Sequence, residues 1–478
     1  MDANTTESFV NRFWDDHIVP TITDYIRIPN KSPSFDPDWE ANGHMAAVLD
    51  LALDWLEQHA PSSATVHVGR EAGITPLILV DIPATPEQGG APAPASDGTI
   101  LMYGHLDKQP EMTGWDPKSG PWEPRMEDGK LYGRGGADDG YALFASIAAL
   151  KALHDQGVAH ARCVLLIEFS EESGSPDLPG WVDHFADLIG SPSLVVCLDS
   201  GAGNYDQLWS TTSLRGMMAG TVRASVLTEG VHSGDASGVV PGSFRVLRQL
   251  MDRIEDPHTG EVILDDLHVD IPPSRLAQAR RVASVMGSDI AGKYPFLDGV
   301  EALSSDPVTL ILNRTWRPTV TIVGQDGVPS VADGGNVMRP HTELKLSFRL
   351  PPTLDPEVAT RAVTDALSQE PPCGAQVTVN FNDAAAGWNA PELADWLAES
   401  LDTVSETFFG KPALHMGEGG TIPFMGMLHA KFPSAQFVIT GVLGPASNAH
   451  GPNEFLHIPY AKKLTACIAH IVGRFGAK

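Results

Sequence analysis

The chain has 478 residues, of which 42% are hydrophobic and 19% are charged, and its formal net charge is −28 at pH 7. This composition is typical of a globular protein with two or three domains, and it excludes a disordered chain, a collagen and a coiled coil. The excess of acidic groups disfavours nucleic acids and anionic membranes as partners, because both present negatively charged phosphates.

The four cysteines are too few for a disulfide framework and show no metal-ligand spacing. Cys163 and Cys197 lie in apolar runs, so we expect both to be buried, reduced thiols of a reducing compartment. The N-terminus lacks the features of a secretory signal, and no apolar run approaches the ~20 residues that span a bilayer. We therefore predict a cytoplasmic protein without a membrane partner.

The first 213 residues alternate helix-like and strand-like segments. Helical spacing predicts helices over 45–59 and 141–153. Short apolar runs predict buried strands over 76–82, 99–103, 164–169 and 194–198, and composition predicts a surface loop over 83–98. Strands that alternate with helices indicate an α/β domain with a mostly parallel sheet.

The pattern changes at residue 214. Alternating residues predict half-exposed strands over 217–226 and 342–350, with a further strand at 375–381 and helices at 242–254, 275–286 and 356–367. After residue 388, helix and buried strand alternate again, over 393–406, 436–442 and 460–475. We therefore predict a discontinuous α/β domain, 1–213 and 388–478, interrupted by a smaller α+β domain over 214–387.

Reactive side chains follow the predicted strands of the α/β domain, at the sheet edge where such domains form their sites. His105 and Asp107 end one strand and point to the same side. Asp138 lies in a glycine-rich segment just before the helix at 141–153. Each signal is ambiguous alone, since His-x-Asp pairs are common and an aspartate before a helix can be a simple cap.

Three further candidates follow later strands. Glu171 and Glu172 are adjacent carboxylates that repel each other, so they need a nearby cation or a shared proton unless they form a solvated turn. Asp199 ends another buried strand and needs a partner if it is not solvated. His450 lies in a loop rich in glycine and proline, where an ordinary loop histidine is the alternative.

Taken together, these residues form a complete set of ligands for two metal ions. Nitrogen and oxygen ligands without thiolate suit Zn²⁺, with Mn²⁺ or Co²⁺ as alternatives. Two ions about 3.5–4 Å apart can activate a water molecule and polarise a carbonyl group. His105, Asp138, Asp199 and His450 would supply four of the five ligands, and of Glu171 and Glu172 one can bind metal while its neighbour serves as general base.

With these motifs in this order, the sequence resembles the di-zinc exopeptidase family of aminoacylases, acetylornithine deacetylases, glutamate carboxypeptidases and carnosine dipeptidases. Within it, the sequence is most similar to the carnosine, or cytosolic nonspecific, dipeptidase branch. The resemblance implies two Zn²⁺ per subunit. One would be bound by His105, Asp138 and Asp199, and the other by Asp138, Glu172 and His450.

The resemblance also implies catalytic roles. Asp107 would orient His105, Glu171 would be the general base that takes a proton from water, and the peptide bond between residues 138 and 139 would be cis. The segment 230–234 resembles a lid motif whose histidine, here His232, reaches across a dimer and steadies the carbonyl oxyanion. The inserted domain would thus be a lid and dimerisation domain, and the protein a homodimer.

Three residues match substrate contacts of the dipeptidase branch. Asn336 and Arg349 lie in matching segments, and an arginine suits bidentate binding of a terminal carboxylate, although a strand-face ion pair is the alternative. Thr421, in a Glu-Gly-Gly-Thr segment, would donate to the same carboxylate or simply precede a helix. Lys108, Gly140 and Gly417 depart from the branch pattern, which leaves the identity of the substrate open.

The sequence therefore predicts a di-metal metallopeptidase that cleaves the amide bond of small peptides. An N-acyl amino-acid deacylase or carboxypeptidase on the same metal site is the alternative. A non-catalytic protein is disfavoured because Glu171 and every metal ligand are present, and a serine hydrolase because no G-x-S-x-G motif occurs.

Overall fold

The structure is a computed structural model that describes residues 1–85 and 98–476. Most of the loop predicted at 83–98 lies outside these residues.

The chain divides into two compact units, the first formed by Met1–Thr211, Ala390–His415 and Met427–Lys478 and the second by Thr212–Asn389 and Met416–Gly426. The segment 416–426 thus differs from the prediction, which assigned all of 388–478 to the α/β domain. It belongs to the second unit because its main chain bonds to that unit, for example through the Gly419 carbonyl, which accepts from Arg215.

Strands and helices are numbered in chain order. The strands of the described residues are β1 (Thr65–Glu71), β2 (Ile74–Ile82), β3 (Thr99–His105), β4 (Arg125–Glu127), β5 (Lys130–Tyr132), β6 (Arg162–Glu168), β7 (Pro192–Cys197), β8 (Trp209–Leu214), β9 (Gly216–Ser225), β10 (Val231–His232), β11 (Thr319–Asp326), β12 (Val337–Met338), β13 (His341–Leu350), β14 (Gln376–Ala385), β15 (Trp388–Asn389), β16 (Leu414–Glu418), β17 (Gln436–Ile439) and β18 (Phe455–His457). The α-helices of the described residues are α1 (Ala3–Phe13), α2 (Val19–Ile26), α3 (His44–His59), α4 (Ala142–Asp155), α5 (Leu178–His184), α6 (Ala186–Ile189), α7 (Ser233–Ala236), α8 (Ser243–Met251), α9 (Pro273–Met286), α10 (Asp289–Gly292), α11 (Pro307–Thr315), α12 (Pro356–Ser368), α13 (Asp395–Phe409), α14 (Pro423–Lys431) and α15 (Ile458–Gly476).

The first unit contains a central sheet with the strand order β1-β2-β6-β3-β7-β17. Strands β6, β3, β7 and β17 are parallel neighbours, whereas β2 runs antiparallel to both β1 and β6. This confirms the predicted α/β fold with a mostly parallel sheet. The parallel register brings the carboxyl ends of β3, β6 and β7 to one edge, where the loops that follow them meet.

Helix α4 packs on this sheet and against α15, and its first residue approaches β3 closely. A Cβ at Gly104, the penultimate residue of β3, would lie 2.6 Å from the Cβ of Ala142. Glycine is therefore required for the helix to begin directly against the strand. This close packing places the turn before α4 beside the carboxyl end of β3.

The second unit contains an antiparallel sheet with the order β11-β13-β9-β14. Along β13, the residues from Thr342 to Leu350 are alternately buried and less buried, which confirms the predicted alternation. The buried residues form a core with helices α8 and α12, and Phe348 packs edge-on against Phe381 at 5.9 Å between ring centroids.

Two predictions about the chain as a whole can be compared with this fold. Cys163 and Cys197 are buried free thiols, as predicted, and burial raises the pKa of both. Within 1–85 and 98–476, no helix has the length and apolar character needed to cross a bilayer.

Candidate metal centre and active site

His105 is the last residue of β3, and its imidazole ring is fully buried. Its Nδ1 lies 3.2 Å from Oδ1 of Asp107, and its main-chain N–H donates to Oδ2 of Asp139 over 3.3 Å. The ring and the main chain of His105 are thus contacted from two sides. Its Nε2 remains directed toward the carboxylates of Asp138 and Glu171, at 3.6 and 3.9 Å.

Asp138 lies in the turn before α4, and the bond between Asp138 and Asp139 is cis, as the resemblance implied. Oδ1 of Asp138 is 3.6 Å from Nε2 of His105, and Oδ2 is 3.0 Å from Nε2 of His450. A single carboxylate therefore contacts both histidines. Two residues after Asp138 lies Gly140, where a Cβ would overlap the ring of the buried Tyr25.

The 3₁₀ turn after β6 carries Glu171 and Glu172, and Asp107 holds it in place. Oδ1 of Asp107 accepts the main-chain N–H of Glu171 over 3.1 Å, and Oδ2 accepts that of Glu172 over 3.0 Å. The two glutamates then diverge. Oε2 of Glu171 is 3.9 Å from Nε2 of His105, whereas Oε2 of Glu172 is 3.4 Å from Nε2 of His450.

Asp199 and His450 come from two later segments of the chain. Asp199 follows β7, and its Oδ2 lies 4.0 Å from Nε2 of His105. His450 lies in the loop between β17 and β18, and its side chain is 54% exposed, in contrast to the fully buried His105. The two histidines thus differ in how far packing restrains them.

These side chains form two overlapping groups. Ligand atoms of His105, Asp138 and Asp199 lie within 4.8 Å of one another, and so do those of Asp138, Glu172 and His450. In the part of the chain that the structure describes, these are the groups of three or more His, Cys, Asp or Glu side chains with such spacing. The fold therefore brings together all five residues that the sequence analysis named as ligands.

The carboxylates of this site repel one another in a buried space. Burial and the charge of Asp199 raise the pKa of Glu171 well above its ordinary value, and burial and the charge of Asp138 do the same for Glu172. Burial raises the pKa of Asp199 to about 7. Burial also opposes the ionisation of Asp138, but the two histidines hold its pKa below its ordinary range. Two histidines alone thus leave the other carboxylates short of positive charge.

The donor set fits divalent cations. Nε2 of His105 and Oδ2 of Asp138 are buried, and neither makes a well-aligned hydrogen bond to any described residue. Such atoms are costly to bury unless another group, here a cation, takes their lone pairs. Imidazole nitrogens and carboxylate oxygens suit Zn²⁺, Mn²⁺ and Co²⁺, and the charge of these ions would also favour ionised neighbouring carboxylates.

In the second unit, His232 and Asn336 lie side by side. His232 ends β10 and is paired with Val337 of β12, while the N–H of Ser233 donates to the carbonyl of Asn336 over 2.9 Å. Both His232 and Asn336 are exposed. A Cβ at Gly234 would lie 2.8 Å from Cε1 of His232, so the glycine of the motif leaves room for the imidazole ring.

Arg349 and Thr421 also meet in the second unit. The guanidinium NH1 of Arg349 donates to Oγ1 of Thr421 over 3.1 Å, and that hydroxyl donates to the carbonyl of Arg215 over 2.6 Å. Burial lowers the pKa of Arg349, and no carboxylate of the described residues lies within 4.0 Å of it. The alternative of a strand-face ion pair is therefore wrong within those residues. Helix α14 begins two residues after Thr421, at Pro423.

Two side chains that make hydrogen bonds around the site, Gln109 and Glu168, were not predicted from the sequence. Nε2 of Gln109 donates to Oε2 of Glu172 over 2.6 Å. Glu168, the last residue of β6, accepts hydrogen bonds from Tyr103 at 2.6 Å and from Ser175 at 2.8 Å, on the far side of the 3₁₀ turn. The strand-end position of Glu168 was a usable signal, but Gln109 had none.

Two further features concern segments that the sequence analysis had singled out. Arg134 and Glu454 form a buried ion pair, with NH1 2.5 Å from Oε2, although nothing in the sequence indicates that their segments meet. Lys108 is buried, and its Nζ donates to the carbonyls of Tyr25 and Ile28, both at 2.6 Å. This departure from the family pattern thus ties the end of α2 to the segment after β3 and belongs to neither ligand group.

A parallel α/β sheet with two overlapping groups of nitrogen and oxygen ligands at its carboxyl edge is typical of metal-dependent hydrolases. A model of the peptidase family M20/M25/M40 matches residues 101–474, which is most of the chain. The chain therefore belongs to the M20/M25/M40 peptidase family, and it is a metal-dependent peptidase.

The chain is similar to several dipeptidases. It is 27% identical over 393 residues to the cysteinylglycine-S-conjugate dipeptidase of Corynebacterium striatum, covering 78% of this chain and 82% of the relative. It is 25% identical over 439 residues to the β-Ala-His dipeptidase of Mus musculus, covering 87% and 84%. These relatives confirm the resemblance to the dipeptidase branch. The solved structure of the dipeptidase Dug1p from Saccharomyces cerevisiae shares the fold, with a TM-score of 0.76 at 19% identity over 100% of this chain and 99% of that one.

Asp107→Asn should lower the affinity of the chain for Zn²⁺ by about 10–100-fold, as is usual when a group that orients metal ligands is lost. The substitution replaces one of the two accepting oxygens with an NH₂ donor, so one of the two N–H groups of the 3₁₀ turn would lose its acceptor. Isothermal titration calorimetry measures the change. Asp81→Asn on β2, whose carboxylate contacts Arg162 instead, is the control. An unchanged affinity for Zn²⁺ in Asp107→Asn would show that metal binding does not depend on the hydrogen bonds between Asp107 and the 3₁₀ turn.

Proposed function

We propose that this chain is a dipeptidase that hydrolyses the amide bond of small peptides with two divalent cations, Zn²⁺ first among them. The observation that carries the proposal is the pair of ligand groups that share Asp138, with the carboxylate of Glu171 beside His105 but outside both groups. The printed names of the relatives support a dipeptide as the substrate. A cytoplasmic location is part of the proposal and is supported by the buried free thiols.

In this proposal each ligand group holds one cation. His105, Asp138 and Asp199 bind the first, and Asp138, Glu172 and His450 bind the second. When bound, such a pair of cations activates water as a nucleophile and polarises the scissile carbonyl group. The surrounding main chain, fixed by Asp107 and by the close packing before α4, keeps these side chains in position.

Glu171 acts as the general base in this mechanism. It is largely buried, and burial together with the charge of Asp199 raises its pKa above that of a free glutamate. A carboxylate with a raised pKa holds a proton better, so it can accept one from water and later deliver it to the leaving amine. The main-chain N–H of Glu171 donates a hydrogen bond to Asp107, which holds the backbone from which this side chain extends.

Glu171→Gln should retain both cations and lose turnover by about 10²–10⁴-fold, because the amide cannot take the proton. Steady-state hydrolysis of a dipeptide gives the rate, and metal analysis of the purified variant gives the cation content. Glu172→Gln is the matched control on the adjacent residue, and it should lose cation affinity as well as activity. Near wild-type turnover in Glu171→Gln would remove this residue from the role.

The second unit supplies the substrate contacts. Arg349 has no carboxylate partner within the described residues, so its guanidinium is available for the terminal carboxylate of a peptide, with Thr421 beside it. His232 ends β10, Asn336 directly precedes its partner strand β12, and both residues are exposed. We assign them to the carbonyl side of the substrate, with His232 acting as a hydrogen-bond donor to the developing oxyanion in the site of a partner subunit.

A homodimer through the second unit is part of this assignment. Strand β11 is an edge strand of the sheet, and its Ile322 and Val323 are more than half exposed, as is Val331 in the loop that follows. An exposed apolar edge strand invites pairing with another chain, and a second copy would bury it. The exposed imidazole ring of His232 fits a role across that interface.

The protein should therefore sediment as a particle of about twice the 51.1 kDa mass of one chain. Ile322→Glu should shift it toward the monomer, because a charge would be buried at the interface without a partner. Val66→Glu, which places the same charge on an exposed position of β1, should leave the mass unchanged. Sedimentation velocity distinguishes these cases, and a monomeric wild-type chain would contradict the assignment.

A panel of matched substrates tests the reaction class. Free dipeptides should be hydrolysed with a kcat/KM at least about tenfold above that of the same peptides N-acetylated, if the site recognises a free amino group. The reverse preference would favour the alternative, an N-acyl amino-acid deacylase or carboxypeptidase that uses the same ligand groups. The panel should be measured after reconstitution with Zn²⁺ and, separately, with Mn²⁺.

A further inference from the structure

A buried ion pair lies next to the second ligand group. The side chains of Arg134 and Glu454 are 1% and 0% exposed, with NH1 2.5 Å from Oε2. Arg134 also donates from NH2 to the carbonyl of Gly451 at 2.7 Å and from Nε to that of Pro110 at 3.2 Å. Oε1 of Glu454 accepts the N–H of Gly135 at 3.0 Å. We call this pair and its hydrogen bonds the Arg134–Glu454 clamp.

The clamp joins the segment that carries Asp138, which both ligand groups share, to the segment that carries the exposed His450. Gly451, whose carbonyl Arg134 holds, directly follows His450. Gly135, whose N–H Glu454 holds, precedes Asp138 by three residues in the same glycine-rich turn. The antiparallel pairing of β5 with β18 continues the connection on the other side of the clamp. One ion pair therefore links the main chain beside His450 to the main chain leading to Asp138.

His450 needs support from outside its own loop. Its side chain is 54% exposed, so packing does not fix it as it fixes the fully buried His105. Its φ is +63°, and Asn448 and Asn453 in the same loop have φ values of +54° and +61°. This left-handed region is sparsely populated by residues with a side chain, least so for Asn and His, and surrounding contacts help to offset its cost. The contact from Arg134 to Gly451 is such a contact, one residue from the ligand.

Stability alone is a weak reason to keep such a pair. Removing two charges from water offsets much of their attraction, and well-packed apolar side chains of similar size often stabilise a fold as well. We propose that Arg134 and Glu454 are positioning residues for the second cation. The clamp sets the position of His450 relative to Asp138 and Glu172. This inference rests on the ligand groups of the proposed function.

The test is the affinity of each ligand group for Zn²⁺ in the full chain. In the double variant Arg134→Met/Glu454→Leu, no charge remains buried without a partner. We expect the second group to bind Zn²⁺ about 10–100-fold more weakly and the first group to change by less than about threefold. Isothermal titration calorimetry resolves the two binding events. His105→Ala and His450→Ala identify which event belongs to which group.

Two further variants separate positioning from folding. Arg162→Met/Asp81→Leu removes an ion pair of 2.8 Å that joins β6 and β2 of the same sheet away from the ligands, and it should leave both affinities unchanged. Glu454→Gln keeps the shape of the side chain while removing its charge. If the double clamp variant does not fold, Glu454→Gln allows the same comparison of Zn²⁺ affinities. We again expect weaker binding at the second group only.

The outcomes distinguish this inference from the assignment on which it rests. A wild-type chain that binds fewer than two Zn²⁺ would overturn the ligand groups themselves. A wild-type chain that binds two, with clamp variants that bind both unchanged or both equally weakened, would overturn the clamp alone. Selective weakening of the event identified by His450→Ala would support it, because a general loss of stability would not distinguish the two groups.

Discussion

The carboxylates at the carboxyl edge of the central sheet repel one another, and burial keeps water from relieving that repulsion. Two of these carboxylates have partners that stabilise their negative charge. Asp107 accepts two main-chain N–H groups, and Asp138 lies between two histidines. Burial raises the pKa of Glu171, Glu172 and Asp199, and neighbouring carboxylates raise it further, so the two histidines leave the site short of positive charge. Divalent cations would supply that charge, which is why the electrostatics and the ligand geometry lead to the same conclusion.

The two ligand groups are built on different supports. His105 and Asp199 of the first group end or closely follow the parallel strands β3 and β7, so the core of the sheet determines where they lie. Glu172 and His450 of the second group come from a turn and a loop. Asp107 accepts hydrogen bonds from the main chain of that turn, and Arg134 of the Arg134–Glu454 clamp donates one to the main chain of that loop. In our proposal, the geometry of the second group therefore depends on side chains that bind no cation themselves.

The second unit contributes a different electrostatic feature. The chain as a whole is strongly acidic, yet Arg349 is partly buried with a hydroxyl rather than a carboxylate as its neighbour. Among the described residues, the guanidinium of Arg349 has no carboxylate partner, and such a group in an acidic protein favours an anionic ligand. Strand β11 of the same unit is an edge strand with exposed apolar side chains. In our proposal, the inserted unit therefore carries both substrate recognition and association.

The local sequence determined the strands and helices, because periods of two and 3.6 residues are visible in short segments, as in β13 and α3. It also pointed to the ligands, since His105, Glu172 and Asp199 follow apolar runs whose ends meet in a parallel sheet. Only the tertiary structure decided that 416–426 joins the second unit, that Gln109 holds Glu172, and that Arg134 pairs with Glu454. Those contacts join residues far apart in the chain, and a contact of that kind leaves no periodic or compositional pattern in either segment.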